Sequence, residues 1–255
     1  MENNLRKGRL ANLSNQRVVI LGGSSGIGLA TASLLAEEGA DVVVASRNRE
    51  KLNKAVAALR KTNGSVSSEI VDATSREETR NLFRRVGKFD HLVLTLAGNE
   101  GAGEFRTLDL NMLHRVFEAK FWPQLIAAQT SLDFLRQDGS LTFVTAITAH
   151  TAYAGASGFA TVNGALESMV PTLALELQPL RVNAVAPGLI ATPFWSTLPD
   201  SVRETMFAQA AAVAPLKRVG HAEDVAEVIA MLIRNTFMTA TIIDCDGGGS
   251  ISHLH

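Results

Sequence analysis

Short apolar runs alternate along this chain with longer segments in which apolar residues recur every three or four positions. The runs are typical of buried β-strands, and the longer segments are typical of amphipathic helices. The pattern predicts strands at residues 17–21, 41–45, 66–71, 90–95, 140–145, 181–185 and 241–244. It predicts helices at residues 27–38, 50–60, 76–86, 110–135, 157–177, 201–212 and 222–233.

Strands and helices that alternate in this way indicate an α/β fold with a parallel sheet. The strands are almost continuously apolar, as burial on both faces requires. We therefore predict a Rossmann-type, doubly wound parallel sheet of about seven strands with helices on both faces. No linker, repeat or low-complexity segment interrupts the pattern, so residues 15–255 are predicted to form a single domain. Residues 1–14 are expected to be a flexible lead-in, because they lack the apolar core of a signal peptide.

The two longest predicted helices carry few charges. The first has a possible kink site at Pro123, and the second contains only Glu167 and Glu176 as charged residues. Helices that are apolar on more than one face are usually buried on more than one side. We therefore expect a homo-oligomer, a dimer or a tetramer, packed through these helices. The alternative is a monomer with a thick helical layer.

Composition narrows the classes of partner. The formal net charge of −1 and the lack of a long basic run give no indication of a nucleic-acid partner. The single cysteine, Cys245, excludes an internal disulfide and is typical of a cytoplasmic protein. No apolar run is long enough to span a bilayer, and no Cys/His spacing suits a metal. These features favour a cytoplasmic protein and give no indication of a nucleic-acid, membrane or metal partner.

A glycine-rich segment separates the first strand from the first helix. Glycines in this position let a diphosphate approach backbone N–H groups at the positive end of the helix. Glycines also occur in ordinary tight turns, but this strand-to-helix context favours a dinucleotide site. We expect the cofactor to contact Gly22, Ser24, Ser25, Gly26, Ile27 and Gly28.

The end of the second strand bears on the choice of cofactor. An acid there would hold the adenosine ribose of NAD, whereas an arginine accommodates the 2′-phosphate of NADP. This chain has Ser46 and Arg47, so NADP(H) is preferred over NAD(H), unless Arg47 is only a solvated surface charge. After the next two strands, Asp72 and Ala73 are expected near the adenine, and Ala97 and Gly98 leave room for the cofactor.

Together these segments resemble the short-chain dehydrogenase/reductase family from about residue 14 to residue 250. The resemblance also rests on the run RVNAVAPG at 181–188, the Thr192-Pro193 pair behind it, and Asp246-Gly247-Gly248. It implies a nicotinamide-dependent oxidoreductase. In this family the 181–188 loop lies over the nicotinamide, which implies contacts from Pro187, Gly188, Ile190 and Thr192.

The family's catalytic side chains are an Asn, Ser, Tyr and Lys set. The register around residues 164–167 places Phe159 at the tyrosine position and Asn163 at the lysine position. Ala146 then occupies the serine position and Lys120 the asparagine position. Tyr153 fits the tyrosine position only with an insertion. Because general acid catalysis contributes about 10²–10⁴-fold, the resemblance implies that ordinary alcohol/ketone chemistry is impaired.

Lys120 and Asn163 look like an exchange of the family's asparagine and lysine. One hypothesis is that Lys120 keeps a cation at the cofactor ribose and the reacting centre, where it contacts the cofactor and supplies an electrostatic or proton-donating role, and that Asn163 holds ribose hydroxyls. The alternative is a surface lysine and a filler residue. In the loop after the fifth strand, Thr145 and His150 are further catalytic candidates, although a loop histidine is often only solvated.

Three functions remain open. The first is an NADP(H)-dependent reductase of an activated C=O or C=N bond, since hydride delivery there needs orientation more than an acid. The second is a cofactor-binding enzyme that catalyses a cyclisation or rearrangement without redox turnover. The third is a catalytically inactive scaffold or regulator that binds NADP(H). Fold resemblance alone does not choose among them.

Overall fold

A single parallel sheet of seven strands forms the centre of the computed structural model, which describes residues 13–60, 62–98 and 100–252. The strand order is β3-β2-β1-β4-β5-β6-β7. The first three strands are added toward one edge of the sheet and the last four toward the other, so the order reverses between β1 and β4. The strands are β1 (Arg17–Leu21), β2 (Asp41–Ser46), β3 (Val66–Ile70), β4 (Phe89–Leu94), β5 (Leu135–Val144), β6 (Arg181–Pro187) and β7 (Ile242–Cys245). Ligands of such open sheets bind beyond the carboxyl ends of the strands, near the point of reversal.

Helices cover both faces of the sheet, as predicted. They are α1 (Gly26–Glu37), α2 (Arg49–Leu59), α3 (Arg76–Val86), α4 (Leu110–Val116), α5 (Trp122–Ser131), α6 (Ser157–Glu176), α7 (Asp200–Val213) and α8 (Ala222–Arg234). Residues of α3, α5 and α6 are buried in the core on one face, and residues of α1, α2 and α8 in the core on the other. The predicted fold class is confirmed.

The predicted helix at 110–135 is wrong as one continuous element. A π-helical turn, Phe117–Phe121, separates α4 from α5, and α5 ends at Ser131. Pro123 lies in the first turn of α5, directly after the π turn, and because proline has no N–H, one backbone hydrogen bond of this continuous helical run is missing there. The extra residue of a π turn rotates the side chains that follow, and such turns are frequent at functional sites. Lys120 lies inside this turn.

Strand β5 also begins earlier than predicted, at Leu135 instead of residue 140. Leu135 pairs with Phe89, and the register shifts between Phe89 and His91. The polar residues 136–138 conceal this part of the strand from a search for apolar runs. Of the predicted lead-in, residues 1–12 lie outside the described residues, whereas Leu13 is buried in the core. No helix in the described part of the chain combines the length and apolar character that a membrane crossing needs.

A buried histidine in the sheet leads to a prediction about acid stability. The His91 ring lies between the Ser140 hydroxyl and the Gln16 side-chain oxygen, each 2.8 Å away. Burial, aided by the Arg181 charge, lowers the pKa of His91 to about 3, so the folded protein holds the ring neutral. The unfolded chain takes up this proton at a pH of about 6.5. Stability from this site is therefore present above pH of about 6.5 and is lost as the pH falls toward 3.

We expect His91→Gln to flatten the decline in free energy of unfolding between about pH 6.5 and pH 4, because it removes this titration. Urea unfolding at several pH values measures that slope. His114→Gln, at an exposed position on α4, is the control and should keep the wild-type slope. Equal slopes for the two variants would show that His91 is not the group responsible.

Candidate functional site

The turn between β1 and α1 accepts only glycine at two positions. Gly22 has a φ of +90°, and a Cβ there would lie 2.4 Å from Thr95 Oγ1. A Cβ on Gly28 would lie 2.5 Å from the carbonyl oxygen of Gly22. The Ser25 side chain makes no capping hydrogen bond to α1, so it leaves the first N–H groups of the helix to an anion. The turn is therefore a cradle of backbone donors suited to a diphosphate.

The side chains predicted for the adenosine end lie close together. Ser24 Oγ donates a hydrogen bond of 3.0 Å to Ser46 Oγ, which joins the glycine turn to the end of β2. Arg47 is exposed, and among the described residues no carboxylate lies within ion-pair distance of it. Hydrogen bonds from the backbone and hydroxyl of Thr74 lower the pKa of Asp72, and the Arg47 charge adds to this effect. An anionic Asp72 thus faces the same region as the Arg47 cation.

The loop after β6 meets the glycine turn from the other side. A Cβ on Gly26 would lie 3.4 Å from Thr192 Cβ, and a Cβ on Gly188 would lie 2.8 Å from Asp246 Cα. The Trp195 indole donates a 2.9 Å hydrogen bond to the carbonyl oxygen of Ile190, so the aromatic ring is anchored to this loop. The structure therefore brings the predicted diphosphate and nicotinamide contacts to one end of the sheet.

The remaining cofactor candidates lie at strand ends, in the loops that follow them, or on α1. Pro187 ends β6, and Ile27 packs partly into the core from the first turn of α1. Ala73 is buried, and Ala97 is exposed in the loop after β4. A Cβ on Gly98 would lie 2.7 Å from Ala119 Cβ. Only glycine at 98 lets this loop pass so close to the π turn that carries Lys120.

Lys120 is a buried cation and not a surface lysine. Its side chain is 8% exposed, and Nζ donates a 3.1 Å hydrogen bond to the carbonyl oxygen of Thr145. Burial lowers the pKa of Lys120 to about 8, while the negative charge of Glu167 opposes that change. A buried ammonium with a single hydrogen bond to the described protein keeps unused N–H donors. The amine can therefore donate to a bound molecule.

Asn163 presents an unused acceptor. Its side chain is 2% exposed, and Nδ2 donates to Thr148 Oγ1 at 3.1 Å and to the carbonyl of Phe159 at 2.9 Å. Within the described residues, Oδ1 has no hydrogen-bond partner. Buried polar atoms are almost always paired, so an orphaned oxygen needs an explanation. A hydroxyl group of a ligand would satisfy it.

Phe159 fills space beside these groups without offering a proton. A Cβ on Gly101 would lie 2.9 Å from the Phe159 ring, and a Cβ on Gly158 would lie 2.7 Å from the carbonyl oxygen of Gly101. The loop after β4 thus closes onto the start of α6 at this ring. Ala146 directly precedes a short 3₁₀ turn, Ile147–Ala149. Neither side chain can donate a hydrogen bond to a substrate oxygen.

Three other polar side chains considered as catalytic candidates, Thr145, His150 and Tyr153, lie against parts of the protein other than Lys120 Nζ and Asn163 Oδ1. Thr145 Oγ1 donates to Glu167 Oε1 at 2.7 Å. The His150 ring lies with Nδ1 3.1 Å from Glu167 Oε2 and Nε2 3.0 Å from Asp244 Oδ1. The structure therefore places both ring nitrogens of His150 against carboxylates. The Tyr153 hydroxyl lies beside the turn after β7, 3.8 Å from where a Cβ on Gly249 would be.

Two site residues escaped the sequence reasoning. Gln124 lies one helical turn after Lys120, is fully buried, and donates through Nε2 to the carbonyl of Leu96 at 2.8 Å, which leaves Oε1 without a described partner. Glu167 lies one turn after Asn163 on α6. The spacing of four residues from a candidate site residue was the available signal, because positions four apart share a helix face.

Comparison with known proteins gives similarity over nearly the whole chain. Residues 22–250 match the protein family described as enoyl-(acyl carrier protein) reductase. A short-chain dehydrogenase/reductase of Stachybotrys chlorohalonatus is 32% identical over 256 residues, which cover 94% of this chain and 98% of the relative.

Two solved structures show the same architecture. A small-chain dehydrogenase in complex with NADPH matches with a TM-score of 0.78 and 29% identity, over 92% of this chain and 99% of its own. The MalC reductase/Diels-Alderase of Malbranchea aurantiaca matches with a TM-score of 0.85 and 28% identity, over 94% of this chain and 98% of its own. The similarity therefore extends over the complete fold and not over one motif.

Proposed function

Because the chain belongs to the short-chain dehydrogenase/reductase family, we propose that it is an NADP(H)-dependent oxidoreductase with a non-standard active site. Its proposed reaction is the reduction of an activated C=O or C=N bond in a small organic molecule. The observation that carries this proposal is the burial of the Lys120 amine beneath the loop that follows β5. Burying a cation costs free energy. Buried lysines with a shifted pKa are therefore frequent at functional sites, where binding or catalysis uses the charge.

The residues present fit a dinucleotide phosphate. The Gly22 and Gly28 positions form a backbone cradle that a side chain would fill, and the orphaned Asn163 Oδ1 suits a ribose hydroxyl. The exposed Arg47 guanidinium and the Ser46 hydroxyl suit a 2′-phosphate. The similarity to a dehydrogenase solved with NADPH supports the same preference. When bound, the nicotinamide supplies a hydride.

Lys120, Asn163 and the loop after β6 then have distinct tasks. The Lys120 ammonium would lie beside the nicotinamide ribose, where it favours cofactor binding and places positive charge where negative charge develops on the reacting oxygen or nitrogen. Asn163 holds a hydroxyl of the bound cofactor, and Thr192 with the Ile190 backbone orients its amide end. Phe159 and Ala146 supply neither a proton nor a hydrogen bond. Substrates that depend little on a general acid, such as iminium carbons and conjugated carbonyls, therefore suit this site.

A substrate panel tests the proposal. Purified protein is mixed with NADPH and with ketones, quinones or cyclic imines, and the loss of nicotinamide absorbance is followed together with product analysis. We expect NADPH consumption with an activated carbonyl or an imine and slower consumption with simple ketones. Product formed without consumption of NADPH would instead identify a cyclisation or rearrangement. NADPH binding with no chemistry on any substrate would favour a scaffold.

Arg47 should decide between the two cofactors. Replacing Arg47 with alanine removes the charge-assisted hydrogen bonds proposed for the 2′-phosphate, and it should weaken NADPH binding by about tenfold to a hundredfold. NADH binding should hardly change. Titration of nicotinamide fluorescence gives both dissociation constants. Arg49→Ala, at a neighbouring exposed position, is the matched control. Equal loss of NADPH and NADH affinity in Arg47→Ala would count against the 2′-phosphate assignment.

We also propose that the protein self-associates through α5 and α6. Both helices expose large apolar side chains to solvent in a single copy of the chain. These side chains are Trp122 at 45% and Leu175 at 71% exposure. Burying such groups against a second copy would be favourable. Sedimentation velocity of the purified protein measures whether it is a monomer, a dimer or a tetramer.

A further inference from the structure

Four polar side chains form a continuous set of contacts behind the Lys120 amine. Glu167 on α6 accepts a hydrogen bond from the Thr145 hydroxyl at 2.7 Å and lies 3.1 Å from His150 Nδ1. The other ring nitrogen of His150 lies 3.0 Å from Asp244 on β7. The set therefore joins the loop after β5 to α6 on one side and to the edge strand β7 on the other.

The backbone of Thr145 connects this set to Lys120. Its carbonyl oxygen accepts the 3.1 Å hydrogen bond from Lys120 Nζ, while its hydroxyl donates to Glu167. Thr145 is almost completely buried, and the Glu167 side chain is only 12% exposed. A carboxylate that deep in the protein usually has a positive partner. His150 contacts the Glu167 carboxylate at 3.1 Å, and the Lys120 charge interacts with it electrostatically.

We propose that Glu167 is a positioning residue for Lys120. Through Thr145 it fixes the carbonyl that receives the Lys120 ammonium, and its negative charge favours the protonated amine. His150 holds the Glu167 carboxylate in this position by bridging it to Asp244. This inference rests on the proposed function of Lys120 at the cofactor site, and it adds an electrostatic support that lies outside the cofactor cleft.

The titration behaviour of the cluster agrees with this geometry. Burial lowers the pKa of Lys120 to about 8, and Glu167 is the group that opposes the change. Burial also acts to lower the pKa of His150, but hydrogen bonds and charge from Glu167 and Asp244 outweigh it, so the pKa is raised. The groups that face His150 from α6 and β7 are these two carboxylates. Without the Glu167 charge, the pKa of Lys120 should fall below about 8, and less ammonium should remain at neutral pH.

Glu167→Gln tests the inference because it removes the charge and keeps the shape and an oxygen acceptor for Thr145. NADPH affinity is measured by nicotinamide fluorescence between pH 6 and pH 9.5. The wild type should lose affinity as Lys120 deprotonates near pH 8. In E167Q that loss should move to lower pH by about one unit. Glu176→Gln, an exposed position on the same helix, is the matched control and should follow the wild type.

A purely structural role for Glu167 would lower the melting temperature and leave the pH profile in place, and that result would overturn the inference. His150 gives a second test. His150→Gln keeps a donor for Glu167 and should retain the wild-type profile, whereas His150→Ala keeps none and should shift it in the direction of E167Q. If His150→Ala keeps the wild-type pH profile of NADPH affinity, His150 does not hold the Glu167 carboxylate in position.

Lys120→Met separates this inference from the proposed function. If Lys120 titrates at the cofactor site, K120M lacks the alkaline loss of NADPH affinity altogether. If K120M keeps that loss, the proposed role of Lys120 fails. If K120M lacks it and E167Q keeps the wild-type profile, only the role of Glu167 fails. Should E167Q not fold, the near-isosteric Thr145→Val removes the hydroxyl bonds to Glu167 and to the carbonyl oxygen of Val185. This variant should shift the profile in the same direction, because Glu167 then no longer fixes the Thr145 carbonyl that receives the ammonium.

Discussion

Replacing Lys120 with methionine is expected to slow NADPH-dependent reduction by about 10²–10⁴-fold, the usual range for loss of a proton donor or a charge-stabilising group at the reacting centre. Methionine fills the buried space of the lysine stem, so the fold should persist. The loss should appear in kcat as well as in kcat/KM, because the charge acts most strongly in the transition state. Steady-state kinetics with the best substrate of the panel measure both constants.

Lys54→Met is the control for this variant, because Lys54 is exposed on α2 and far along the chain from the β5 loop. It should retain wild-type turnover. Unchanged kcat and unchanged NADPH affinity in K120M would remove Lys120 from the mechanism. In that case the buried amine would serve only to hold the Thr145 carbonyl, and the variant would show its effect in the melting temperature alone.

Replacing Gly22 with alanine should weaken NADPH binding by about a hundredfold or more, because several charge-assisted hydrogen bonds to the diphosphate depend on the turn. The new Cβ would lie 2.4 Å from Thr95 Oγ1 and 3.0 Å from the Thr95 backbone, so the turn must move. The positive φ of +90° adds about 1 kcal/mol of strain for alanine. Fluorescence titration and thermal unfolding measure the two effects separately.

Gly87→Ala separates backbone strain from the steric overlap. Gly87 has a φ of +75°, and no described atom lies within 4 Å of the position that a Cβ would take. This variant should lose a similar amount of stability from strain and none of its NADPH affinity. If G22A binds NADPH as tightly as G87A, the turn between β1 and α1 does not hold the diphosphate.

The fold followed from local signals in the sequence, and so did the expectation that most residues of the proposed cofactor site meet at one end of the sheet. Strand β1, the glycines after it and Ser46 at the end of β2 all lie within short segments whose chemistry is readable from residue type. The family resemblance is confirmed, and the register that it implied at Phe159 and Asn163 stays a prediction. Contacts between residues far apart in the sequence could not be predicted in this way. The polar residues 136–138 concealed the start of β5, and its pairing with Phe89 depends on a register shift.

The π turn at Phe117–Phe121 and the Glu167 cluster show the same limit more clearly. No local pattern in the sequence predicted that Lys120 would lie in a π turn with its side chain buried. Glu167 is an ordinary helix residue until the fold brings it against Thr145, His150 and, through His150, Asp244. These contacts join segments far apart in the chain. Local composition carries no information about such pairs, so the sequence indicated Thr145 and His150 as candidates without the carboxylates that contact them.

A crystal structure of the protein grown with NADPH tests the central claim most directly. The account predicts a diphosphate on the turn at Gly22–Gly28, with Lys120 Nζ and Asn163 Oδ1 within hydrogen-bond distance of the nicotinamide ribose or of the space beside the nicotinamide ring. Density showing the Tyr153 hydroxyl against the nicotinamide, or Lys120 still bonded only to Thr145 and remote from the cofactor, would contradict it.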